Sequence, residues 1–180
     1  MPQVNLASGG GRVLRDHGPL LLVLGLAGFL LFTDLHRDYL WADEGDTAVL
    51  ARTVLQFGVP SAWDGVTFTD SDYGARLNDD LVMVRHPLLQ YYLAAGSFAL
   101  FGPTVLAARL PFALCALATI LVCYLLVFRA ERDRWAATAT ALLLALSVQF
   151  LLYGRQSRYY AATALLTCLL LFMFLRLRSW

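Results

Sequence analysis

The sequence predicts an all-α fold, a polytopic membrane helix bundle with four transmembrane helices and interfacial juxtamembrane helices in a large first outer loop. Three observations lead there. Mean hydropathy is +0.61 and only 15% of residues are charged, against about a quarter in soluble domains. Four uncharged stretches, residues 17–33, 110–128, 135–154 and 159–175, contain 17, 19, 20 and 17 residues, each within the roughly 17–25 that a spanning helix needs. When these four alternate across a bilayer, Arg12 and Arg15, then Arg129, Arg132 and Arg134, then Arg176 and Arg178 all fall on the cytoplasmic side, as the positive-inside rule requires.

The elements follow in order. Residues 1–16 read as a cytoplasmic tail, with a flexible "ASGGGR" whose glycines neither follow a strand nor fit a phosphate-binding fingerprint. The first span, 17–33, follows two arginines and has no small-x-small cleavage site close after Phe32, so it reads as an uncleaved signal anchor. Residues 34–103 form the large outer loop, and its stretch 34–86 holds ten acids against four arginines. Within it, residues 44–57 predict a short amphipathic helix with Leu50, Ala51, Val54 and Leu55 as its apolar stripe and Gly58 and Pro60 as its stop. Residues 61–85, rich in Asp, Gly and Asn, read as irregular.

The apolar run 87–101 has fifteen residues, short for a span and suited to an interfacial helix. Counting it as a span would also send the last two arginine clusters outside, against the charge rule. Residues 104–180 then supply three spans, with a second outer loop "GRQSRYY" at 154–160.

Composition excludes several functions. A net charge of +1 gives no electrostatic handle for nucleic acid. Cys115, Cys123 and Cys168 lie in apolar runs without metal spacing and read as packing residues. There is no HExxH, CxxC, serine-nucleophile elbow or phosphate-binding glycine loop.

Candidate chemistry lies at the outer boundary. Asp43 and Glu44 open the loop helix, where acids commonly cap and complement the helix dipole; the functional alternatives are a general base, or a pair holding a divalent cation such as Mg or Mn. Arg155 and Arg158 in the second outer loop read either as interfacial anchors or as guanidinium forks for a lipid-borne phosphate. Arg109, near the outer start of the second span, reads as a helix-end arginine. His86, before Pro87, is a candidate ligand or proton shuttle, although a lone loop histidine is more often neither.

Three ordered stretches resemble a known family. "WADEGDTAVLARTVLQFGVPSAWDG" (41–65) is similar to the first outer loop of polytopic glycosyltransferases of the dolichyl-phosphate-mannose protein mannosyltransferase type, a group including lipid A aminoarabinose transferases (glycosyltransferase family 39-like). "RHPLLQYYLAAGSFALFGPTVLAARLPFALCALATILVCYLL" (85–126) resembles their basic-Pro, apolar helix, F-G, A-R-L-P signature, and "YGRQSRYYAATALL" (153–166) resembles their second outer loop. The resemblance implies a C-type membrane glycosyltransferase fold and an inverting mechanism. The donor it implies is a polyprenyl-phosphate-linked sugar, used on the outer face with a protein, lipid or polysaccharide acceptor.

By position, the resemblance implies Asp43 as the catalytic acid with Glu44 as its partner. Arg158, Arg155, Arg85 and His86 would serve the donor phosphate, with Tyr159, Gln156 and Arg109 in support. The second loop offers Gln156 and Ser157 where many relatives have an acid, which speaks against a two-acid or metal-bridged site. Family members have many more spans, so the chain is expected to be the N-terminal part of such an enzyme in a bacterial plasma membrane, multi-pass, with a cytoplasmic N-terminus. The alternative expectation is a truncated, non-catalytic four-span protein that binds a polyprenyl lipid or a partner subunit.

Overall fold

A computed structural model describes residues 9–37, 39–69 and 74–178. The tail residues 1–8 and the loop acids Asp38, Asp70 and Asp72 lie outside the described residues. The described chain is helical: α1 (Gly9–Phe32), α2 (Ala42–Phe57), α3 (Leu89–Phe101), α4 (Val105–Glu131), α5 (Arg134–Ala145), α6 (Val148–Gly154) and α7 (Tyr159–Arg178). Among the described residues, extended pairing is limited to isolated antiparallel bridges, Ser61 with Val82, Trp63 with Phe68 and Leu77 with Met83. These tie the irregular 61–85 segment to itself.

Two helices, α4 and α7, are long and apolar enough to cross a bilayer. The run 135–154, read as one continuous span, is instead α5 and α6, bent by 65°. The cause is local. Ser147 adopts an extended conformation and its hydroxyl accepts a hydrogen bond from Phe150 N–H at 3.3 Å, so it stops one helix and caps the next. Counted as one broken span, α5 and α6 make a third crossing; the apolar part of α1, Gly18–Phe32, is shorter than either long helix. Helix α1 begins at Gly9, so the three glycines expected in a flexible tail lie within it.

Caps set the other boundaries. Thr104 accepts from Ala107 N–H to start α4, and Asp133 accepts from Trp135 N–H to start α5. Gly58 closes α2 in the left-handed conformation, φ +79°, donating its N–H to the Val54 carbonyl, a geometry that glycine adopts at least cost.

Packing centres on α4, which contacts α1, α3, α5, α6 and α7. Small residues permit the close approach: Ala107, Ala108, Ala113 and Ala116 are fully buried, as membrane helix interfaces favour. Gly154 is the tightest point, because a Cβ there would lie 2.8 Å from the Ala116 Cβ and 3.4 Å from Leu31 Cδ2. The absent side chain lets the end of α6 lie against α4 and α1, and this sets where residues 155–158 emerge.

Helix α2 buries Leu50, Ala51 and Val54 as its stripe requires, but Leu55 is half exposed. The buried face continues instead through Thr47 to Glu44. That spacing of three and four residues follows one side of the helix and carries a carboxylate into the core.

Candidate functional site

The start of α2, the chain before α3, the N-terminal end of α4 and the turn between α6 and α7 meet here. Asp43 and Glu44 are adjacent on α2 and point to different partners. Glu44 is 1% exposed and forms a two-pronged ion pair with Arg109: Nε to Oε1 at 2.9 Å and Nη2 to Oε2 at 2.7 Å. Oε1 also accepts the backbone N–H of Ser157 at 2.9 Å. Arg109 donates further to the Arg37 carbonyl at 2.9 Å and the Tyr39 carbonyl at 3.3 Å. One buried pair thus fastens α2, α4, the chain after α1 and the α6–α7 turn.

Asp43 faces the other way. Its side chain is 39% exposed and meets Arg158 Nη2 at 3.4 Å. Arg158 is buried, and its Nε has no hydrogen-bond partner among the described residues. Its guanidinium lies over the Tyr159 ring, 5.5 Å from the centroid, and that ring faces His86 at 6.3 Å. Asp43, His86, Arg158 and Tyr159 therefore form one cluster.

The remaining candidates are placed elsewhere. Arg85 is exposed and makes no hydrogen bond or ion pair with the described residues. Arg155 turns away from Arg158, donating Nη2 to the Thr33 carbonyl at 2.6 Å, and with Gln156 it lines a separate cavity beside Trp41. Asp43 and Glu44 also do not converge on one point, because the Glu44 oxygens are taken by Arg109 and Ser157. Among the described residues no group of three His, Cys, Asp or Glu side chains comes together.

Sequence reasoning missed several members. Gln90 is fully buried beside the cluster's helix start, with both amide atoms unpartnered among the described residues; a lone amide inside "PLLQYYL" was the available signal. The buried Ser157 supplies the N–H that holds Glu44. Burial pushes the Tyr91 phenol up to about 12. Asp46 and Arg76 also act electrostatically on His86.

His86 is held below its ordinary pKa of 6.5, first by burial, then by the charges of Arg158 and Arg76, with Asp43 and Asp46 opposing. The imidazole is therefore mainly neutral at pH 7. As pH falls below 6.5 the unfolded chain takes up this proton before the folded one, so folding stability drops from there down to the lowered pKa. The melting temperature of the wild type should fall more between pH 7 and about pH 5 than that of His86→Gln, as measured by thermal unfolding in detergent. Equal losses would show that His86 does not carry the effect.

The helical architecture, with two or three candidate spans, is that of a membrane helix bundle. Residues 85–180 match the family described as dolichyl-phosphate-mannose-protein mannosyltransferase, and the chain belongs to that family. It is accordingly a membrane glycosyltransferase of the mannosyltransferase type. The matched region contains His86, Arg109, Arg155 and Arg158 and begins after Asp43 and Glu44. Comparison with curated proteins and with solved structures gave no match.

Proposed function

We propose that the chain carries the outer-face catalytic corner of an inverting glycosyltransferase, which moves a sugar from a polyprenyl-phosphate donor to an acceptor hydroxyl. The observation that carries this reading is the Asp43–Arg158 pair, a half-exposed carboxylate against a buried guanidinium that retains an uncommitted N–H. A guanidinium in that setting suits a phosphate, which it can bind through two parallel hydrogen bonds.

The chemistry then runs in one displacement. The acceptor oxygen attacks the anomeric carbon as the bond from that carbon to the phosphate oxygen breaks, and Asp43 takes the hydroxyl proton. The leaving polyprenyl phosphate gains negative charge, which Arg158 stabilises. Donor phosphate competes with Asp43 for the same guanidinium, so donor binding frees the base. Neutral His86 serves as a hydrogen-bond donor or acceptor and adds no charge, and Tyr159 keeps Arg158 in place.

Arg158→Gln should reduce transfer at saturating acceptor about 10²-fold or more and weaken donor binding, whereas Arg158→Lys should restore part of both. Transfer unchanged in Arg158→Gln would contradict the assignment. A protein that binds the donor lipid through Arg158 yet transfers no sugar would support the alternative, a binding protein without catalysis.

A further inference from the structure

The Glu44–Arg109 pair forms part of the wall of a cavity of about 300 Å³, lined also by Asp34, Arg37, Trp41, Arg155 and Gln156. Its charges do not cancel. Arg37 is paired with Asp34 at 3.0 Å and Arg109 with Glu44, which leaves Arg155 with no carboxylate partner among the described residues. The Thr33 carbonyl takes one Nη2 hydrogen, and the other guanidinium N–H groups have no partner among the described residues. The cavity also has an acceptor to satisfy, since Gln156 Oε1 is buried and has no partner among the described residues. A half-exposed Trp41 and an exposed Leu152 supply apolar wall.

We propose that this cavity binds a phosphate group bearing a neighbouring hydroxyl, separately from the donor phosphate assigned to Arg158. Arg155 takes the phosphate oxygens, Gln156 Oε1 accepts from the hydroxyl, and the carbon skeleton lies against Trp41. The remaining side chains suit this ligand: the two carboxylates are already neutralised by Arg37 and Arg109, so the site carries one net positive charge. The proposal does not depend on Asp43 acting as a base. Two sources share the chemistry, a glycerol-phosphate lipid headgroup reached at the height of Leu152, and a soluble hydroxylated phosphate.

The test uses the intact protein in nanodiscs. Native mass spectrometry counts phosphatidylglycerol retained against a phosphatidylcholine background, and calorimetry follows glycerol 1-phosphate added to phosphatidylcholine discs. Arg155→Gln should weaken binding about tenfold or more, the value of a charge-assisted hydrogen bond, and Arg155→Lys, which retains the charge and a donor for Thr33, should lose less. Arg52→Gln, at an exposed position on α2 outside the cavity, should bind like the wild type. Binding of phosphatidylglycerol alone assigns the lipid as the source; binding of glycerol 1-phosphate as well assigns a soluble one. The proposal is overturned if the wild type binds neither probe, if both Arg155 variants bind as the wild type does, or if Arg52→Gln loses as much as Arg155→Gln. Asp43→Asn should lower sugar transfer about 10²–10⁴-fold and retain this binding, so failure of the catalytic reading is distinguishable from failure of this one.

Discussion

Asp43→Asn is expected to lower sugar transfer by about 10²–10⁴-fold, the usual contribution of a positioned general base, while the protein still inserts and folds. Asparagine keeps the size of the side chain. The carbonyl of residue 43, which accepts from Arg158 Nη1 at 3.4 Å, is untouched, so the loss should fall on the chemical step more than on donor affinity. Asp43→Glu retains a carboxylate but moves it outward by one methylene, and it should recover a small part of the rate. Steady-state transfer by purified protein separates the effects, because a change confined to KM would indicate a binding role for Asp43.

Breaking the Glu44–Arg109 pair should have the largest effect on stability. Removing one partner leaves an uncompensated buried charge, which costs about 3–5 kcal/mol. Glu44→Ala strands the Arg109 guanidinium and the Ser157 N–H; Arg109→Ala strands the Glu44 carboxylate and the carbonyls of Arg37 and Tyr39. The double variant should be less destabilised than the sum of the two, with a coupling of about 0.5–3 kcal/mol for residues in one network. Denaturation of the four proteins in the same detergent measures it. Strict additivity would mean that the pair does not couple α2 to α4. Transfer should also fall in each single variant, because the pair positions Asp43 on one side and the turn carrying Arg158 on the other.

Much of the fold was legible because lipid imposes a simple code: long uncharged runs became helices, and Gly58, Thr104 and Asp133 end or begin them where their chemistry suggests. The break at Ser147 was hidden because it lies inside twenty uncharged residues, and hydropathy alone does not distinguish a cap from an ordinary polar residue in a span. Leu55 fits the apolar stripe by spacing but is half exposed; the buried face of α2 instead extends to Thr47 and Glu44. Glu44 needed a partner 65 positions away, and no local pattern announces a pairing of that length. The divergence of Arg155 and Arg158 was equally concealed, since residues 155–158 form a turn between helices and three-residue spacing sets no common direction there.

The proposed donor is a sugar carried on a lipid phosphate. The most direct measurement supplies native membranes containing the intact protein with a labelled polyprenyl-phosphate hexose or with the corresponding nucleotide sugar, and determines the anomeric configuration of the product. The expected result is label transferred from the polyprenyl-phosphate donor with inverted configuration, and none from the nucleotide sugar in membranes depleted of polyprenyl phosphate. Transfer from the nucleotide sugar in those depleted membranes, or retained configuration from the lipid donor, would contradict it.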